Sequence, residues 1–266
     1  MPASEPAPAK LNLALHVRGK LPDGRHALET MFAFCVDGDR LEGELAAELS
    51  LTVTGQFADG LQRDNLVMAA ATALKAAAGV SQGASLHLDK RLPVASGIGG
   101  GSADAAAALR LLTALWNIDP AHAAAVAPGL GSDVPACLLS LTARGSGAGD
   151  ELEIEADPSI NGAPVLLVNP AVALSTAKVF AAWDGVDRGP LGDWRGGRND
   201  LEPAARRLVP AIGDVLDWLR EREGVNFSRM SGSGATCFAL FDSEEERDAA
   251  ATACPSHWWH LASFLR

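Results

Sequence analysis

The sequence predicts an α+β protein of two domains that meet near residue 148. Short segments of alternating apolar and polar residues are interleaved irregularly with segments of helical spacing. Neighbours such as FSRM and ATCFALF, joined by the glycine turn SGSG, point to antiparallel pairing rather than a uniform parallel sheet. The 266 residues, 48% hydrophobic and 21% charged, suffice for one large domain or two smaller ones, each with a real core.

Taken in order, AKLNLALHV alternates, with Leu11, Leu13, Leu15 and Val17 on one face and Lys10, Asn12 and His16 on the other. That pattern predicts a strand with one buried face. MFAFCV and ELSLTVTG read as further strands. RDNLVMAAATALKAAAG has helical spacing through Leu66, Ala70 and Leu74, with Asp64 or Asn65 as cap and Gly79 as stop. SLHLDKRLP is a strand leading into a glycine-rich loop, and a helix follows from about Ser102 to Leu115. DPAHAAAVA predicts another short helix. In the second half APVLLVNP is a strand and STAKVFAAW a helix capped by Ser175. The stretch 184–200, crowded with proline, glycine and arginine, reads as a surface loop. AIGDVLDWLRERE is amphipathic. SEEERDAAATA opens with a capping-box pattern, Ser243 with Glu246, and HWWHLASF is a last strand.

The formal net charge is -11. An acidic surface repels nucleic acid and anionic lipid, so neither is expected as a main partner. The start, MPASEPAPAK, lacks the basic and apolar regions of a secretory signal, and no stretch has the ~20 apolar residues of a membrane helix. Cys35, Cys137, Cys237 and Cys254 are scattered without paired spacing and read as reduced core residues. A cytoplasmic protein is expected.

PVASGIGGGSADAAAAL puts Gly97, Gly99, Gly100 and Gly101 directly before Ser102 and a helix. An ordinary turn before a helix needs one or two glycines. Glycine admits close backbone approach, and a helix start offers unpaired N–H groups and the positive dipole end, so the pattern suits a phosphate. It is not a Walker loop, because Gly19-Lys20 is followed by Leu21. It is not a dinucleotide fingerprint, because the sixth position counted from Gly97 is Ser102.

The run does resemble the signature of the GHMP kinases: Pro, a spacer, Gly-Leu-Gly, one or two small residues, then Ser-Ser-Asp/Asn-Ala. Ile98 stands for the leucine and Ala103 for the second serine. APAKLNLALHV, LPDGRHALETMF, GSDVPACL, LLVNPAVALSTAKVF, RNDLEPAA and SRMSGSGATCFALF resemble one branch of that family in order and spacing. The likeness runs from Ala7 to about Phe241. That branch phosphorylates a cytidine diphosphate-linked methylerythritol on the non-mevalonate route to isoprenoid precursors. The resemblance implies a ribosomal-protein-S5-like α/β domain over 1–148 and a ferredoxin-like α+β domain over 149–266. It implies ATP, with Mg2+ carried on it, and a monomer or weak homodimer.

Residue by residue, the resemblance implies that Pro93, Ser96, Gly97, Ile98, Gly99, Gly100, Gly101, Ser102 and Ala103 hold the ATP phosphates. Asn65 and Leu66 would border the adenine, although helix capping explains Asn65 as well. Asp133 would accept the proton of the substrate hydroxyl; read alone, it is a helix cap. Lys10 would pair with Asp133 and the transferring phosphate; read alone, it is a solvated lysine. Asn12 would hydrogen-bond substrate or Asp133, or is simply an edge-strand polar residue. His26 would meet the edge of the cytosine. Arg25 stands where the family usually has tyrosine, a residue this chain lacks altogether, and a guanidinium can stack on a base instead. Phe180 would close the base pocket or fill a helix core, and Thr176 would contact the diphosphate. Lys90 and Arg91 could meet nucleotide or end a strand, and Gly232 and Gly234 pack the C-terminal domain or contact the phosphate end. No carboxylate cluster announces a protein-built metal site; Ser102 is the nearest candidate oxygen. The rival readings are another GHMP kinase, of homoserine or mevalonate type, and an inactive nucleotide-binding regulator. PDG.H speaks against the first, Lys10 and Asp133 against the second.

Overall fold

The structure, a computed structural model, describes residues 2–59, 61 and 65–266. The chain forms two compact units that are discontinuous in sequence. The first comprises Met1–Ala9, Asp37–Val94 and Gly99–Ser140; the second Lys10–Val36, Ala95–Ile98 and Leu141–Arg266. Lys10–Val36 and Ala95–Ile98 thus belong with the C-terminal half, although they precede residue 148.

Two long strands, β1 (Ala3–Lys20) and β2 (His26–Ala46), run through both units. In the first unit β2 pairs antiparallel with β4 (Gly83–Asp89), which pairs parallel with β3 (Ser50–Thr54). Four helices belong to this unit: α1 (Leu66–Ala78), α2 (Gly100–Leu115), α3 (Pro120–Leu130) and α4 (Val134–Leu139). Helix α2 packs on the other three, with Ala105, Ala106, Ala107, Ala108, Leu109 and Leu112 buried. Small alanines let the helices approach closely. Asn65 caps α1 by accepting the Val67 N–H at 2.9 Å, and Gly79 ends it at φ +65°. Asp64 lies outside the described residues. Asp119 caps α3 in the same way, with Pro120 in the first turn.

In the second unit β2 pairs antiparallel with β5 (Ala143–Ser146), and β5 with β6 (Glu151–Ile154). A separate antiparallel sheet has the order β10-β7-β9-β8, formed by β7 (Pro164–Asn169), β8 (Val225–Met230), β9 (Cys237–Phe241) and β10 (Trp259–Phe264). All five residues of β9 are buried, as an apolar run between two neighbouring strands requires. Its helices are α5 (Thr176–Ala181), α6 (Glu202–Leu208), α7 (Ala211–Arg220) and α8 (Glu244–Thr252). Helix α7 turns Ile212, Val215, Leu216 and Leu219 onto a core that also holds Leu15 and Val17 of β1. The Ser243–Glu246 capping pattern forms, the Glu246 N–H donating to the Ser243 hydroxyl at 3.2 Å.

Three local expectations need correction. β1 is buried on both faces, because Lys10, Asn12 and His16 are each at most 3% exposed. Helix α2 begins at Gly100, two residues before the expected start, because glycine at Gly99 adopts φ +65° and turns the chain directly into the helix. Ser175 occupies the cap position of α5, but its hydroxyl makes no capping bond.

Candidate active site

Lys10 and Asn12 sit in a buried polar row of the second unit. Lys10 Nζ donates to Asn12 Oδ1 at 2.8 Å and lies 5.4 Å from the centre of the Phe32 ring. Asn12 Nδ2 donates to Thr30 Oγ1 at 2.8 Å, and the Thr30 hydroxyl donates to the Ala14 carbonyl at 2.6 Å. A buried ammonium needs such partners, since an isolated charge out of water is expensive. The backbone of the same segment holds the glycine loop: the Lys10 N–H donates to the Ile98 carbonyl at 2.9 Å. Ser231 bridges the two, accepting the Asn12 N–H at 3.1 Å and donating to the Gly97 carbonyl at 3.0 Å. The solvated-lysine reading of Lys10 therefore fails.

Gly97 takes φ +78°, and a Cβ there would stand 2.6 Å from the Ser231 carbonyl oxygen. Only glycine fits. Ala95 shares the left-handed region at φ 51°, a local strain in a residue with a side chain. Ser96 is buried, its carbonyl accepting the Thr236 N–H at 3.1 Å, and Pro93 is half-buried. From Gly99 the chain belongs to the first unit. Gly100, Gly101 and Ser102 form the first turn of α2, and the first helical bond runs from the Ala103 N–H to the Gly99 carbonyl at 2.8 Å. The three preceding N–H groups have no helical acceptor, which suits an anion. The side chains of Ile98 and Ala103 are 0% and 1% exposed and pack inward.

Elsewhere in the first unit Lys90 is buried between Asp39 and Asp104. It donates to both, at 2.6 Å to Asp104. The N–H groups of Arg91 and Leu92 also donate to Asp39, and Lys90 lies under the start of α2, with Nζ 3.1 Å from a Cβ built at Gly100. Burial opposes the charge on Lys90, but Asp104 and Asp39 outweigh it and raise its pKa. Burial pushes Asp104 up to about 7, against the pull of Lys90. One cation cannot satisfy two buried carboxylates equally. Arg91 instead pairs with Asp89 at the surface. The Asn65 amide accepts the Val67 N–H and donates to the Leu61 carbonyl, and Leu66 packs beside Gly101. Asp133 is half-buried at the cap position of α4, yet its side chain makes no capping bond.

The second unit carries an open pocket of about 590 Å³ lined by Lys20, His26, Ala177, Phe180, Trp183 and Gly185. His26 stacks on Phe180 at 4.5 Å between ring centres and meets Trp183 edge-on at 5.8 Å. Burial, then Lys20, lower the pKa of His26, so a neutral imidazole with one donor and one acceptor faces the pocket at pH 7. Arg25 is half-exposed and pairs with Asp23 at 2.7 Å and Asp150 at 3.0 Å. Thr176 Oγ1 meets the Ser233 hydroxyl at 2.9 Å, which ties α5 to the turn holding Gly232 and Gly234.

Sequence reading missed Thr30, Ser231 and Trp183, uncharged residues whose partners lie far away in sequence. It also mistook part of 184–200 for surface. Trp194 is 2% exposed and donates to Asp157 at 2.7 Å, while Asp200 accepts the Val17 N–H at 2.9 Å. Asn199 donates to the Met230 and Gly232 carbonyls at 2.8 Å. Half-buried Arg229 donates to the carbonyls of Leu13, Trp194 and Gly197. Trp194, Asn199 and Asp200 thus bond inward, while most of 184–196 is exposed as expected.

A glycine-rich loop that runs into α2 and is held by the backbone of a buried lysine, together with an aromatic pocket, is the set of parts a small-molecule kinase needs. Residues 65–140 match the GHMP kinases N terminal domain and residues 187–259 the GHMP kinases C terminal domain, and the chain belongs to this family. It is 52% identical to the 4-diphosphocytidyl-2-C-methyl-D-erythritol kinase of Rhizorhabdus wittichii, over 100% of this chain and 96% of that one. It is 48% identical to the enzyme of the same name from Sphingopyxis alaskensis, over 97% and 96%. A crystal structure of 4-(cytidine 5'-diphospho)-2C-methyl-D-erythritol kinase superposes with a TM-score of 0.83 at 34% identity, covering 99% of each chain. The homoserine kinase of Cytophaga hutchinsonii shares the fold, with a TM-score of 0.69 at 16% identity, covering 97% of this chain and 93% of that one.

Proposed function

We propose that this protein transfers the terminal phosphoryl group of ATP to the 2-hydroxyl of 4-diphosphocytidyl-2-C-methyl-D-erythritol. The products are the 2-phosphate and ADP, on the non-mevalonate route to isoprenoid precursors. The likeness of the whole chain to enzymes of that name carries the reading. The protein has little covalent work to do: it must align the reactants and offset charge. An O–P bond forms at the substrate hydroxyl as the bond to the ADP oxygen breaks. Asp133, half-buried at the start of α4, aligns that hydroxyl and takes its proton. Lys10, fixed by Asn12, offsets charge on the transferring group. Backbone N–H groups from Gly97 to Ser102 cradle the phosphates, with Pro93, Ser96 and Ala103 shaping the approach, and Asn65 and Leu66 border the adenine.

His26 and Phe180 hold the cytosine, an assignment supported by their stacked rings in an open pocket. Thr176 faces the diphosphate, and Asn12 the reacting end. Arg25 shapes the pocket rim through Asp23 and Asp150. The half-buried Ser102 hydroxyl would be the protein oxygen offered to an Mg2+ carried on ATP, which would supply positive charge to the phosphates. Among the described residues no group of three His, Cys, Asp or Glu side chains could hold a metal. A cytoplasmic location is supported by the lack of disulfides among the described residues. No helix among them is long and apolar enough to cross a membrane.

The test is ADP release from ATP with 4-diphosphocytidyl-methylerythritol, homoserine or mevalonate. Release with the first alone is expected; release only with either of the others would reassign the acceptor. Asp133→Ala is expected to lose turnover by a factor of about 10² or more while still binding nucleotide. Unchanged turnover would remove Asp133 from the reaction.

A further inference from the structure

We propose that Thr30 is a positioning residue for the phosphoryl transfer, acting on Lys10 through Asn12. The inference rests on the reading of Lys10 as the cation that meets the transferring group. Thr30 has one hydroxyl proton, and it goes to the Ala14 carbonyl, which can only accept. Toward Asn12 the Thr30 oxygen can therefore only accept, and it takes the Asn12 Nδ2–H. That fixes the amide with Oδ1 turned toward Lys10 Nζ, where it receives a hydrogen bond at 2.8 Å. Every donor in the row points the same way, from Lys10 to Asn12 to Thr30 to the backbone of β1. Such a one-way chain polarises each bond in turn. Reversing the amide would set two donors face to face at Lys10 and leave the Thr30 hydroxyl contested.

The row is locked by packing as well as by direction. Thr30, Asn12 and Lys10 are 1%, 2% and 3% exposed, so water cannot readily replace a lost partner. Thr30 lies opposite Gly145 on β5, and a Cβ at Gly145 would stand 3.0 Å from Thr30 Cγ2 and 2.7 Å from Phe32 Cε2. The branched side chain is thereby held in one rotamer, its methyl over Gly145 and its hydroxyl toward Ala14 and Asn12. Phe32, two residues along β2, stands against the same ammonium. β2 thus supplies both the aromatic contact of Lys10 and the anchor of its amide partner.

The experiment is a double-mutant cycle with Lys10→Met and Thr30→Val, with Thr30→Ser as the conservative variant, read as steady-state ADP release with thermal melting of each protein. Thr30→Val keeps the shape but removes the hydroxyl. It is expected to lower kcat about tenfold while leaving KM for both substrates within about twofold. Thr30→Ser should retain most of kcat, and the double variant should turn over no more slowly than Lys10→Met alone. Unchanged kcat in a folded Thr30→Val, equal losses in Val and Ser, or a Thr30→Val loss that multiplies independently of Lys10→Met would each overturn the proposal. Should Thr30→Val fail to fold, Thr30→Ala takes its place in the same cycle. Full turnover in Lys10→Met would instead overturn the role of Lys10, so the two failures are told apart.

Discussion

Lys90 donates to Asp104 at 2.6 Å, and both are buried in the first unit, where Asp39 competes for the same ammonium. Burial raises Asp104 to about 7, so in the folded state it binds its proton well above the ordinary carboxylate range. Between pH 4 and 7 the folded protein then holds more protons at this site than the unfolded chain. This contribution to stability is present at low pH and is lost as pH rises toward 7. Asp104→Asn removes it. Melting temperatures of the two proteins across pH 4–8 should show the variant gaining on the parent as pH rises. A constant difference across that range would mean Asp104 does not titrate there.

Gly97→Ala should cost more than Gly79→Ala. Both sites have positive φ, but the space around Gly79 is open, while at Gly97 a Cβ would meet the Ser231 and Gly234 backbone at 2.6–2.8 Å. Positive φ alone costs about 1 kcal/mol. The added clash must move the glycine loop. Chemical denaturation should rank the variants in that order, and only Gly97→Ala should weaken nucleotide binding, by about tenfold or more. Equal effects on nucleotide binding would mean the loop does not hold ATP.

His26→Ala and Phe180→Leu should each raise KM for the cytidine substrate about tenfold and leave KM for ATP unchanged, because a stacked aromatic pair contributes about 0.5–1.5 kcal/mol beyond its buried area. The lowered pKa of His26 adds a pH signature. Affinity for this substrate should be flat from pH 7 upward and fall only below the ordinary histidine range, where the ring loses its acceptor. A rise in ATP KM alone would place the pocket at the wrong ligand.

Much of this was legible in the residues. Alternation marked β1, the apolar run marked β9, and Asn65 and Gly79 bounded α1 because capping chemistry is local. The four glycines announced their loop for the same reason. What stayed hidden depends on partners far away in sequence. Thr30 and Ser231 become site residues only through Asn12, and Trp194 becomes core only through Asp157. Nothing in PLGDWRGGRND distinguishes a solvated loop from one whose polar groups bond inward. The early start of α2 was missed because glycine is a poor helix former, a propensity overridden here by the turn at Gly99.

The path of the chain limits how the molecule can be dismantled. Leu15 and Val17, near the N-terminus, complete a core otherwise made of residues after 165. A fragment excised at residue 148 would leave that apolar surface open and β6 without its β5 partner. The two halves of the gene are therefore not interchangeable cassettes. Swapping the C-terminal half between relatives requires carrying along Lys10–Val36 and Ala95–Ile98, which belong to the same unit.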